Sequence, residues 1–315
     1  MAFLGIDLGG TYARAAVVDG EGRVLASAKR ALEDRSVAGV VETLGLAADE
    51  VLARHPQVQT CGVGVAGMLD RDTGTVAVAP NLGWRDVPFG RLFSARLGRP
   101  VRVVNDLSAA AWGEFRAGAG RGQTDILVVF VGSGVGSAII TGGRLLKGAG
   151  GAAGEFGHVK VVPAGGRLCG CGELGCLESY MGGHNLIAQM REAIDSGRPT
   201  LLRELAAREG KVFSPVVLEE AALAGDAEAQ VIYDRAVEAL ALAIANQITV
   251  LNPGALVIGG GVLSRCPQMR ERVRAGVARW AGRVSQRVLQ VTDAALGDDS
   301  GLIGAALLGA GEGSG

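Results

Sequence analysis

The sequence predicts a mixed α/β protein of two lobes, and three of its features carry that expectation. At 315 residues the chain is too long for one small core, so two domains of roughly 120–180 residues are expected. A pattern of strand, glycine-rich turn and strand occurs twice, over residues 3–18 and again over residues 125–141, and each copy opens one half of the chain. Helical patterns fill much of the remainder; the longest runs from Leu218 to Leu251 and is broken only at Gly225-Asp226.

The elements follow in order. Phe3 to Ile6, Ala13 to Val18 and Val24 to Ser27 are short apolar runs separated by Gly9-Gly10 and by Asp19-Gly20-Glu21-Gly22, which predicts a β-meander. Ser36 opens a helix to about Arg54, with Val37, Val40, Val41, Leu44, Ala48, Val51 and Leu52 on one face, and His55-Pro56 stops it. Strands are expected at Cys61–Val65, Thr75–Ala79 and Val101–Val104, with helices over Phe89–Leu97 and Leu107–Phe115. The run from Arg116 to Gly122 has glycine at alternate positions, which disfavours helix and strand alike, and marks the boundary between lobes. Asp125–Val131 and Gly136–Thr141 form the second hairpin, and Leu256–Ile258 is a strand ending in three glycines.

Composition narrows the function. Hydrophobic residues make up 48% of the chain, with 51 glycines and nine prolines, as in a compact globular protein. Lys and Arg (31) nearly balance Asp and Glu (32), and no basic stripe interleaved with aromatic residues occurs, so a nucleic-acid partner is not expected. Residues 1–7 lack the basic and apolar regions of an export signal, which points to the cytoplasm. The most apolar long stretch, Ala236 to Leu263, contains Glu238, Asn246, Gln247 and Pro253 and reads as a buried helix and strand, not a membrane span. Five cysteines, three of them between Cys169 and Cys176, favour metal binding over disulfides.

Four constellations could carry chemistry. Asp7-Leu8-Gly9-Gly10-Thr11 lies at a strand-to-strand turn where small residues let backbone N–H groups face an anion, and Gly132-Ser133-Gly134-Val135-Gly136-Ser137 repeats that design. Neither is a P-loop or a dinucleotide fingerprint, and either one alone could be only a tight turn. Asn105-Asp106 ends an apolar strand and starts a helix; Asp106 could be the N-cap or a proton acceptor in phosphoryl transfer. His158 with Cys169, Cys171 and Cys176 makes a Cys3His set whose four ligands leave no open position, so the expected metal is structural Zn2+. Glu155 and Glu178 flank that set and could bind a polyol; each alone could equally be a surface charge.

Taken together these motifs resemble the ROK family (repressors, open reading frames and sugar kinases), and specifically its bacterial glucokinases. The resemblance rests on Asp7 to Thr11, Gly67, Ala79-Pro80-Asn81-Leu82-Gly83-Trp84, Asn105-Asp106, Gly132 to Gly136, Gly154-Glu155-Phe156-Gly157-His158, the three cysteines with Glu178, and Leu251-Asn252-Pro253 running into Gly259-Gly260-Gly261. It implies an actin-like (ribonuclease H-like) two-lobe sugar kinase fold with mixed β-sheets, in which ATP and sugar meet in a cleft. Its small lobe would be residues 1–117 with about 299–315 returning to it, and its large lobe residues 118–298 with the zinc knuckle. It further implies Mg2+ near Asp7, and phosphates held by Gly9, Gly10, Thr11 and by Gly132, Ser133, Gly134, Val135 and Gly136. Gly259, Gly260 and Gly261 would border the adenosine. Asp106 would be the catalytic base, and Gly67, Asn81, Asn105, Asp106, Glu155, His158 and Glu178 would surround the hexose.

The expected reaction is phosphorylation of a hexose 6-hydroxyl by ATP, most simply glucose to glucose 6-phosphate, by a homodimer. Ser133, Leu107-Ser108 and Met181-Gly182-Gly183 depart from residues common in the family, and the last two departures adjoin the acceptor site. N-acetylhexosamine, mannose and fructose therefore stay open as acceptors. A sugar-sensing, non-catalytic relative is the alternative of another class. A repressor would carry a winged-helix domain of about 60–80 residues ahead of the first phosphate loop, whereas six residues precede Asp7.

Overall fold

The computed structural model describes residues 1–70, 73–208 and 213–311. It opens with the expected meander of β1 (Ala2–Leu8), β2 (Tyr12–Asp19) and β3 (Val24–Ala31). In helix α1 (Val37–Leu52), Ser36 is the N-cap and its Oγ accepts the Gly39 N–H at 3.1 Å. Strand β4 (Cys61–Val65) is buried throughout and lies parallel to β1, with Leu4 beside Cys61 and Leu8 beside Val65.

Three short strands then make a separate antiparallel sheet: β5 (Met68–Asp70), β6 (Thr75–Ala79) and β7 (Trp84–Val87). Helix α2 (Phe89–Leu97) ends at Gly98, in the left-handed conformation at φ 65°. Strand β8 (Val101–Asn105) pairs parallel with β4 and passes directly into α3 (Asp106–Ala117). The glycine run that follows, read from the sequence as a break between lobes, folds back on α3. Gly118 and Gly120 donate to the Glu114 carbonyl at 3.1 and 2.9 Å.

The second meander comprises β9 (Ile126–Val131), β10 (Val135–Thr141) and β11 (Arg144–Leu145). Helices α4 (Glu178–Met181), α5 (Gly183–Asp195), α6 (Leu202–Arg208), α7 (Pro215–Leu223) and α8 (Ala227–Leu251) come next. Asp226 caps α8 by accepting the Ala229 N–H at 2.8 Å, so the single break in the long helical pattern is a helix start. The chain finishes with β12 (Ala255–Gly259), α9 (Gly261–Arg265), α10 (Pro267–Trp280), α11 (Arg283–Gln286), β13 (Gln290–Asp293) and α12 (Ser300–Gly309).

The two large sheets share one order. The first runs β3-β2-β1-β4-β8 and the second β11-β10-β9-β12-β13, so each is a meander followed by two strands reached through helical connections. The repeat seen in the sequence as two hairpins therefore extends to a whole sheet in each copy.

Two compact units result. The first contains residues 1–126, 138–153 and 294 onward, and the second contains residues 127–137 and 154–293. Of the residues 299–315 expected to return to the small lobe, 312–315 lie outside the described residues. In the first unit α12 packs on β1, β4 and α3 at backbone-to-backbone range, and glycines on both sides allow it. A Cβ on Gly5 or Gly62 would overlap the carbonyl oxygens of Leu302 or Ala305, and one on Gly304 would lie 2.7 Å from Gly113 N. Leu302, Ala305, Ala306 and Leu308 are almost fully buried there. Among the described residues no helix is long and apolar enough to cross a membrane.

Candidate active site and metal centre

In the first unit, the parallel strands β1 and β8 end beside functional candidates. Asp7 stands one residue before the end of β1, and Asp106 is the first residue of α3, directly after β8. Burial raises the Asp7 pKa to about 6; Arg14 opposes that shift, while the carboxylates of Asp106 and Asp298 add to it. Asp298 is held by Arg14, whose Nη1 donates to the Asp298 carbonyl at 2.6 Å and whose Nη2 pairs with Asp299. The first turn of α12 lies next to Asp7, because a Cβ on Gly301 would come 3.7 Å from Asp7 Oδ1. Arg14, Asp298 and Gly301 were not among the sequence-predicted site residues. Their signal in the sequence is Asp298-Asp299-Ser300 ahead of an apolar helical run, a helix start and nothing more.

Helix α3 is capped by Asn105 and not by Asp106. Asn105 Oδ1 accepts the N–H groups of Leu107 and Ser108 at 3.1 and 3.0 Å, and its Nδ2 donates to the Gly67 carbonyl at 3.3 Å. Gly67 is itself pressed against β6, where a Cβ would overlap the Val78 carbonyl. Asn81 is exposed in a single 3-10 turn, Pro80–Leu82. In the first glycine turn the Gly9 N–H donates to the Tyr12 carbonyl at 3.1 Å, and Gly10 has open space where a side chain would begin. Thr11 is exposed on the same turn. Carboxylate oxygens grouped around Asp7 suit a hard cation such as Mg2+, whose charge would relieve their mutual repulsion.

In the second unit, Gly132 to Gly136 form the turn between β9 and β10, closed by a 2.9 Å bond from the Gly132 N–H to the Gly134 carbonyl. The Val135 N–H points to the Glu178 carboxylate, Oε2 accepting at 3.0 Å. Glu155 precedes and His158 ends a short 3-10 turn, Phe156–His158, and both are exposed. Gly259 ends β12 and Gly261 starts α9; between them Gly260 has φ 89°, and a Cβ there would overlap Val131 of β9.

The same unit brings His158, Cys169, Cys171 and Cys176 together, with one ligand atom of each lying within 4.8 Å of the others. Cys171 Sγ is 3.8 Å from Cys176 Sγ, and Cys169 Sγ is 3.8 Å from His158 Nδ1. A tetrahedron with zinc–sulfur bonds of about 2.3 Å has edges of about 3.8 Å. The residues therefore fit Zn2+. Burial pushes the Cys169 thiol up to about 12, so a bound cation is what would keep that sulfur ionised. With Nδ1 in the cluster, His158 Nε2 lies 3.9 Å from Glu155 Oε2. Lys160 Nζ donates to Cys176 Sγ at 3.2 Å, a cation beside the cluster that the sequence reading did not single out.

A protein-family model described as the ROK family matches residues 3–312. The chain belongs to the ROK family. This ROK chain is 34% identical over 311 residues to a glucokinase of Streptomyces coelicolor, with 96% of each covered. A crystal structure of a ROK family glucokinase from Streptomyces griseus in complex with glucose and AMPPNP is 36% identical, with a TM-score of 0.81 over 98% of this chain and 99% of that one. A ROK hexokinase from Thermus thermophilus is 31% identical, with a TM-score of 0.83 over 98% of both chains. The actin-like two-lobe kinase fold expected from the sequence is thus the fold of this ROK chain.

Proposed function

We propose that this ROK protein transfers the γ-phosphoryl group of ATP to the 6-hydroxyl of a hexose, with glucose the leading acceptor. The observation that carries this reading is the pair Asp7 and Asp106, set at the ends of parallel strands and close enough for one carboxylate to shift the other. Two carboxylates so placed can divide the labour of phosphoryl transfer. Asp7 stays with the cation, and Asp106 accepts the proton that leaves the attacking hydroxyl.

Asn105 supports this by taking the capping duty, which fixes the start of α3 and therefore the backbone position of Asp106. Asp7 would hold Mg2+, which, when bound, neutralises charge on the phosphate oxygens. Gly9, Gly10 and Thr11, with Gly132 to Gly136, would orient the phosphates through backbone N–H groups, and Gly259 to Gly261 would border the adenosine. Gly67, Asn81, Asn105, Glu155, His158 and Glu178 would surround the sugar. Ligation of Zn2+ through Nδ1 would leave His158 Nε2 for a sugar hydroxyl, with the zinc acting on the sugar only through the imidazole it holds.

The test is ADP release with ATP and Mg2+ across glucose, mannose, fructose, N-acetylglucosamine and N-acetylmannosamine. Turnover led by glucose supports the full reading, and turnover led by another hexose keeps the chemistry while changing the acceptor. A protein that binds glucose and AMPPNP yet turns over none of these sugars would be a sensor, and the proposal would fail.

A further inference from the structure

Four glycines of the second unit meet at one junction where a Cβ would crowd its neighbours. A Cβ on Gly134 would overlap Glu178 Oε2, and one on Gly157 would overlap the Val135 carbonyl. On Gly182 it would lie 3.1 Å from the Ser133 carbonyl, and on Gly183 2.7 Å from that of Gly132. Hydrogen bonds lock the same pieces together: Gly183 N–H to Gly132 O at 3.0 Å, His184 N–H to Ser133 O at 3.1 Å, and Val135 N–H to Glu178 Oε2 at 3.0 Å. Residues 178–184 therefore brace the turn 132–135 along its length. Only the last of these bonds involves a side chain, and it is a carboxylate.

Glu178 is the first residue of α4 and stands two residues after the cluster member Cys176. A carboxylate has about four lone-pair sites on two oxygens. Oε2 is committed to Val135, which leaves Oε1 to accept from a hydroxyl. One carboxylate can thus offer one oxygen to a sugar while the other holds the glycine turn. We propose that Glu178 is a positioning residue for the nucleotide as well as a ligand for the hexose, so that the two affinities are coupled through its carboxylate. This rests on the assignment of residues 132–136 to phosphate binding and of Glu178 to the hexose.

The coupling has a simple physical origin. A hydroxyl bound at Oε1 fixes the carboxylate, the fixed carboxylate holds the Val135 N–H, and a turn already ordered binds phosphate at lower entropic cost. Linkage then requires the nucleotide to tighten hexose binding by the same factor.

Dissociation constants for glucose and for Mg2+–AMPPNP, each alone and each in the presence of the other, test this by titration calorimetry. The wild-type protein should show mutual tightening of about fivefold or more. Glu178→Ala should weaken AMPPNP binding in the absence of glucose by about tenfold, because the turn loses a charge-assisted bond. Glu178→Gln keeps an acceptor for the Val135 N–H and should hold AMPPNP affinity within about threefold of wild type while glucose binding weakens. Gly134→Ala works from the other side: by displacing Glu178 it should weaken glucose binding although residue 134 is assigned to the phosphates. An AMPPNP affinity unchanged in Glu178→Ala overturns the proposal. Should that variant not fold, wild-type glucose affinity in Gly134→Ala overturns it instead. Binding of neither ligand to the wild-type protein would overturn the kinase reading itself, a result separate from binding of both without coupling.

Discussion

Glu114 Oε1 accepts a 2.9 Å hydrogen bond from the backbone N–H of Leu296, 182 positions further along the chain. Its Oε2 accepts from Ala119 at 2.9 Å and Ala295 at 3.0 Å, and the side chain has no solvent exposure. One carboxylate on α3 therefore fastens both the glycine turn after that helix and the segment leading into α12. Glu114→Ala removes all three bonds to a carboxylate that has no solvent exposure, which should cost roughly 3 kcal/mol. Urea unfolding measures the loss; a change below about 0.5 kcal/mol would mean that the carboxylate has no structural weight.

Asp106→Asn keeps the size of the side chain and removes the proton acceptor. Turnover should fall by about two to four orders of magnitude, with glucose affinity close to wild type. Steady-state kinetics beside calorimetric binding separates the two quantities. Unchanged turnover would rule out Asp106 as the base.

Asp7 gives a pH signature. Its pKa is raised from 3.8 to about 6, chiefly by burial, so the folded state binds more protons than the unfolded state between those values. The sign is fixed by that difference: the contribution of Asp7 to stability is intact below about pH 4 and is lost as the pH rises through about 6. Asp7→Asn should match the wild type near pH 4 and exceed it by up to about 3 kcal/mol at pH 7.5 without Mg2+. Thermal melts across that range read the gain, and Mg2+ should stabilise the wild type alone. A difference that does not vary with pH would contradict the assignment.

Cys171→Ser removes the exposed cysteine of the Cys3His cluster. Metal content should drop and glucose affinity should fall, because His158 would no longer be held by a closed ligand set. Metal analysis of the purified variant decides the matter: a full complement of zinc would place the metal elsewhere.

Much of the fold could be read where local pattern and tertiary demand agree. The meander from Phe3 to Val18 and the helix after Ser36 follow from periodicity and caps, since each buries the face its own sequence marks as apolar. Strand β7 was not legible because Trp84 and Val87 are buried while Arg85 and Asp86 between them are exposed, an order that departs from the usual alternation at a strand where Asp86 has a positive φ of 51°. Asn105 and Asp106 are both capping residues by type; the extended backbone at Asn105, ψ 141°, assigns the cap to it, and backbone angles are not written in composition. The gathering of the Cys3His set was legible because its members lie close together in sequence. Asp298 was not, since the contact that brings it in, from Arg14, spans 284 positions.

The glycine-lined seat of α12 also bears on how the protein is made. Strands β1 and β4 emerge from the ribosome long before the helix that covers Gly5 and Gly62. Through most of translation the first unit therefore lacks a part of its core, and its nascent strands present uncovered apolar faces. The second unit holds residues 127–137 and 154–293, so it has its own segments earlier than the first has α12. Maturation should thus run against the order of synthesis, with the unit begun first completed last. Interrupted translation just short of α12 would leave a chain prone to aggregate and dependent on chaperones, even with every residue assigned to chemistry already in place.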